Sequence, residues 1–202
     1  ELVRSKRDEK LPLIMTSEMS FDHQVSEELL GDLCRIAVAG GSELAGAARI
    51  LSEQPEKAAT LFAPFIKAQE AVVVAGANKM GVEPKSLAFF LYHSLRPSFC
   101  SCAARLADYL ESSPSGEQGY CPVCGSPPAI AWIEDQGQRH LLCSFCWHKW
   151  PVNRALCPFC GNRGEAGLLY FYSEEEKEYR VDACPACRRY VKAVDTRVLR
   201  RF

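Results

Sequence analysis

The sequence predicts an α+β chain in several parts: an all-α N-terminal helical domain, then two small β modules stapled by metal. Three observations predict this. Apolar residues recur at helical spacing from about Val25 to Glu111. Helix signals then stop at a Ser/Pro/Gly-rich stretch. Beyond it, eight of the 11 cysteines fall into four Cys-x-x-Cys pairs.

Taken in order, residues 1–19 are charged at first and aperiodic. They read as an arm with an extended piece around Leu11-Pro12-Leu13-Ile14. Residues 20–112 form the α-helical domain. Leu29, Leu30, Leu33, Ile36 and Ala37 share one helix face, and Gly40-Gly41 suits its end. Pro55 suits a first helical turn, and Pro64 kinks or divides the helical pattern after it. Pro84 starts a further helix, and a last one is expected after Pro97. Residues 113–118 are a linker by composition.

After the linker the chain repeats itself. Residues 119–153 form module 1, and 154–202 form module 2 with a C-terminal tail. Each module runs knuckle, β-hairpin, knuckle, then an aromatic (Trp150, Tyr190). The hairpins are read over Ala129–Leu142 and Leu168–Ala183.

The knuckles carry the chemistry. Two residues between cysteines let one tight turn aim both sulfurs at one point. Two such turns make a tetrahedral four-thiolate site for zinc or iron. Three pairs read Cys-Pro-x-Cys, and Gly125 and Gly161 supply the positive φ needed after the second cysteine. Sequential pairing predicts two four-cysteine metal sites, Cys121, Cys124, Cys143 and Cys146, then Cys157, Cys160, Cys184 and Cys187. An interleaved cross-brace pairing is the alternative, disfavoured by its longer closing loops. A disulfide framework fits less well, since no signal-peptide h-region is visible.

Other features carry less. His148 is a candidate to replace a sulfur ligand. His93, Cys34, Cys100 and Cys102 read as core or near-core residues. The glycine-spaced stretch Gly76–Gly81 reads as a helix break rather than a phosphate cradle. Trp132, Trp147, Trp150, Phe159, Tyr170, Phe171 and Tyr172 either pack around the knuckles or form a binding surface. No catalytic motif is present, so an enzyme is not expected. The formal net charge of −1 argues against a general polyanion binder, although Arg188, Arg189, Lys192, Arg197, Arg200 and Arg201 keep a zinc-ribbon nucleic-acid binder as an alternative. No apolar run is long enough to span a membrane, and abundant free thiols point to the reducing cytoplasm.

The runs Tyr120–Pro128, Leu141–Trp150, Arg154–Cys160 and Ala183–Lys192, in that order and spacing, strongly resemble the formate dehydrogenase accessory (FdhE) family. The resemblance covers about residues 120–195. It implies rubredoxin-like modules behind a helical domain, with the eight knuckle cysteines as the functional set. It also implies a non-enzymatic cytoplasmic factor that binds the immature catalytic subunit of formate dehydrogenase and assists its maturation. Two bound metal ions, iron or zinc, a formate dehydrogenase partner and a weak homodimer complete the expectation. A rubredoxin-type iron electron carrier or redox sensor is the further alternative.

Overall fold

The computed structural model describes residues 5–6, 9, 11–110, 119–134, 136–163 and 167–199. The expected linker at 113–118 lies outside them. The chain divides into two compact units, one of Thr16–Cys102 and one of Glu1–Met15 with Ala103–Phe202.

Six helices account for most of the first unit: α1 (His23–Ala39), α2 (Ala45–Glu53), α3 (Pro55–Ala59), α4 (Phe62–Ile66), α5 (Glu70–Met80) and α6 (Pro84–Ala107). Asp22 caps α1 by accepting from the Val25 N–H at 3.0 Å. Gly40 closes it by donating to the Ile36 carbonyl, and Gly41 comes next at φ 61°. Leu30, Ala48, Leu51, Phe62, Leu87, Phe90, Leu91 and Leu95 are buried in this unit's core.

Proline punctuation matches expectation at Pro64 and departs from it at Pro97. The chain breaks at Thr60-Leu61, so Pro64 falls in the first turn of α4, where its missing N–H leaves no bond unmade. Pro97, by contrast, does not start a helix; it lies inside α6. Interior proline costs about 3 kcal/mol. Here the apolar face runs straight through it, with Leu95 and Phe99 both fully buried. Gly76 is also no break. It sits within α5, where a Cβ would meet Leu61 Cδ1 at 2.6 Å, and Gly81 at φ 73° ends that helix.

The second unit contains one six-stranded sheet: β1 (Pro128–Glu134), β2 (Gln138–Cys143), β3 (Lys149–Val152), β4 (Leu169–Tyr172), β5 (Tyr179–Ala183) and β6 (Tyr190–Asp195), in the order β3-β2-β1-β6-β5-β4. Both expected hairpins are there. Each gains a third strand, β3 or β6, that carries the repeat's aromatic residue. All pairings within a module are antiparallel. The modules then join edge to edge through the parallel pair β1–β6, with Ala131 opposite Ala193.

Pleating sorts the residues onto two faces. Arg139, Leu141, Ala131, Ile133, Trp150, Val191, Ala193 and Asp182 are buried on one face. At the sheet's far end, all four residues of β4 are exposed.

Candidate metal centres

All four knuckles share one backbone design. The N–H of each first cysteine donates to a carbonyl five residues on: Cys121 to Ser126, Cys143 to His148, Cys157 to Asn162 and Cys184 to Arg189, at 2.8–3.1 Å. The residue after each second cysteine has positive φ: Gly125 (75°), Trp147 (60°), Gly161 (70°) and Arg188 (58°). Glycine marks only two of these turns in the sequence. The other two hold side chains in a region that costs most residues about 1–2 kcal/mol. Backbone N–H groups turn inward as a result. Those of Phe145 and Cys146 donate to Cys143 Sγ at 3.3 and 3.4 Å.

The knuckles pair sequentially. Cys121, Cys124, Cys143 and Cys146 converge at one end of module 1, and Cys157, Cys160, Cys184 and Cys187 converge in module 2. Within each group the sulfurs all lie within 4.8 Å of one another. Neither group mixes cysteines of the two modules, so the interleaved alternative is not the arrangement adopted. The close Sγ···Sγ approaches are Cys121–Cys146 at 3.7 Å and Cys124–Cys143 at 3.5 Å, then Cys157–Cys187 and Cys160–Cys184 at 3.7 Å. A disulfide needs about 2.05 Å. A metal–sulfur bond of about 2.3 Å gives a tetrahedron with an edge of about 3.8 Å. The Sγ···Sγ spacings of 3.5–3.7 Å fit the tetrahedron.

Proton sharing supports the same fit. Hydrogen bonding from Cys121 holds Cys124 and Cys143 below the ordinary thiol range, while bonding to Cys124 keeps the Cys121 proton in place and pushes that group up. In the second group the Cys187 N–H lowers Cys184 to about 6, and burial pushes Cys157 up to about 12. Four thiols this close cannot all ionise unaided. A divalent cation removes that obstacle and releases the retained protons. The two groups therefore have the donor set to hold two metal ions. Each would supply a filled coordination sphere, with no position left for substrate or water.

The two sites differ in access. All four cysteines of the first are buried, whereas Cys160 in the second is exposed and Cys187 half-buried. The N-terminal segment adds cover that the sequence did not signal. The Leu13 and Ile14 N–H groups donate to the Pro122 and Val123 carbonyls at 3.0 and 2.9 Å, and Pro12 lies against Gly125.

His148 is not part of either group. Its ring stacks parallel to that of Trp150, 6.4 Å away, and burial lowers its basicity. Cys34 is buried in the helical unit, Cys100 and Cys102 are half-buried, and none of the three joins a metal group. The aromatic set divides: Trp150 is core, whereas Trp147, Tyr170, Phe171 and Tyr172 are exposed. Among the described residues, no helix is long and apolar enough to cross a membrane.

A helical unit and a sheet bearing two four-cysteine clusters define the class: an α+β protein with zinc-ribbon-like modules. Residues 120–154 match the family described as FdhE, central domain. A protein FdhE homolog from Aquifex aeolicus is 35% identical over 121 residues, covering 58% of this chain and 42% of that protein. One from Shewanella oneidensis is 25% identical over 197 residues, covering 95% and 61%. The crystal structure of the FdhE protein from Pseudomonas aeruginosa shares the fold, with a TM-score of 0.54 at 21% identity over 97% of this chain and 66% of that one. These likenesses support an FdhE-like family for the chain, which spans 42% and 61% of the lengths of the two relatives.

Proposed function

We propose that this protein is a non-enzymatic accessory factor for formate dehydrogenase. It binds the immature catalytic subunit in the cytoplasm and assists formation of the active enzyme. The observation that carries the reading is the pair of closed four-sulfur groups in an FdhE-like chain. A filled sphere does not turn over substrate, so the eight cysteines act as ligands that hold a recognition surface in shape. Iron or zinc both suit four sulfurs, and iron would add one-electron chemistry.

The test is anaerobic affinity capture from the native host with mass spectrometry. The expected result is recovery of a formate dehydrogenase catalytic subunit, lost in a Cys121→Ser/Cys157→Ser double variant. Capture that survives complete metal loss would overturn the role given to the metal modules. Recovery of nucleic acid with steep salt sensitivity would favour a zinc-ribbon nucleic-acid binder instead.

A further inference from the structure

Among the described residues, Arg139 is the only lysine or arginine that is buried. It belongs to β2 of module 1, yet its Nη2 meets Asp182 on β5 of module 2. Asp182 also accepts from Arg180 Nε, so one carboxylate serves two guanidiniums. A guanidinium keeps its proton, and two positive charges against one negative leave a surplus. Arg139 Nε and Nη1 and Arg180 Nη2 are buried and make no hydrogen bond. Buried charge left short of partners is costly.

This surplus lies beside the second cysteine group. Cys184 follows Asp182 by two residues, just past the end of β5, and so carries the same face on by about 7 Å. Burial disfavours the Arg139 charge. Asp182 favours it most, Tyr170 and the Cys157 thiolate add to that, and Arg180 opposes. Cys143, the ligand of the first group on β2, is four residues from Arg139, about 13 Å along the strand. Arg188 and Arg189 follow Cys187 directly but are exposed, so solvent screens them. Four thiolates on a divalent ion keep two negative charges at the centre. The buried surplus is of the opposite sign.

We propose that Arg139 is the charge-balancing residue of the second metal centre, supplied by module 1 across the β1–β6 seam. It makes no bond to the ion. Its field offsets the negative charge that four thiolates keep after a divalent ion binds, and so raises the affinity of that site. Asp182 acts in the opposite sense, because its charge offsets that of Arg139. The second centre is thus incomplete without a residue of the first module. The inference rests on the second cysteine group holding a divalent ion, and the identity of the client does not enter it.

Cobalt(II) titration of the 202-residue chain tests this, read by thiolate-to-cobalt charge-transfer absorption against a competing chelator. The second-site signal is the part that Cys160→Ser removes. Arg139→Met should weaken that site at least about tenfold and leave the first within about twofold. Arg139→Lys keeps the charge and should stay near wild type. Asp182→Asn keeps the shape and an acceptor oxygen, and should tighten the second site. A loosened seam or partial unfolding would weaken binding in both Arg139→Met and Asp182→Asn, so opposite signs separate charge from structure. Unchanged affinity in Arg139→Met, or shifts of one sign in both variants, overturns the proposal and leaves the pair as a clasp between modules. A second group that takes up no cobalt in the wild-type chain overturns the metal assignment itself, and this proposal with it.

Discussion

Arg139 on β2 and Asp182 on β5 meet at 3.1 Å with both side chains 1% exposed, although β1 and β6 lie between their strands. Strands are spaced about 4.8 Å apart, so a flat sheet would hold these residues too far apart to touch. The sheet must coil towards this face. The pair therefore ties module 1 to module 2 across the seam. Asp182 also accepts from Arg180 Nε at 2.8 Å. Removing the shared acid leaves a buried cation uncompensated, so Asp182→Ala should cost about 3–5 kcal/mol in chemical denaturation of the metal-loaded protein. Arg139→Met should cost less, because Asp182 keeps Arg180. Equal costs would contradict this account.

Access should order metal loss. With both sites loaded, a coloured chelator should withdraw metal in two phases of equal size, the faster from the site with exposed Cys160. Cys160→Ser should remove the fast phase and Cys121→Ser the slow one. A single phase would mean that the seam makes the two centres release together.

The four positive-φ turns invite opposite substitutions. Gly161→Ala should cost about 1–2 kcal/mol from backbone conformation, since a Cβ there meets nothing within 4 Å. Gly125→Ala should cost more, because its Cβ would also press on Pro12 Cγ at 3.2 Å. Arg188→Gly should raise the thermal midpoint of the metal-loaded protein by relieving the same strain. A fall would show that the Arg188 side chain contributes more than its backbone costs.

His93 in α6 lies against Phe89, with ring centroids 4.3 Å apart and the rings tilted by 47°, and burial, then the nearby Arg96 charge, lowers its basicity from the usual histidine value. The unfolded chain thus takes up the proton first. Stability of the helical unit should be complete above the unfolded value of about 6.5 and fall as pH drops below it. Urea midpoints at pH 7.5 and 5.5 should differ more for wild type than for His93→Gln. An equal difference would remove His93 as the cause.

The two four-cysteine groups were legible in the sequence because Cys-x-x-Cys spacing is a local geometric constraint, and tandem order favours local closure. The hairpins were legible for the same reason. The turns at Trp147 and Arg188 were hidden, since neither residue type advertises positive φ. The third strands were hinted at only by Trp150 and Tyr190. Nothing local marks β1 and β6 as neighbours, or Arg139 and Asp182 as partners, because alternating patterns show which face a residue takes and not which strand lies beside it. Pro97 misled through a rule about backbone hydrogen bonding that buried Leu95 and Phe99 outweigh.

The Ile133 carbonyl accepts from both the N–H and the hydroxyl of Thr196, 63 residues further along the chain. A ribosome adding about 5–20 residues per second delivers Thr196 roughly 3–13 s after Ile133. Cys121 and Cys124 are already made when that interval begins, and Cys143 and Cys146 follow within it, ahead of the strand that completes the pairing of β1. A nascent chain can therefore capture its first ion while its sheet is still half built, and the second centre and the seam close only once Cys187 and β6 have been made.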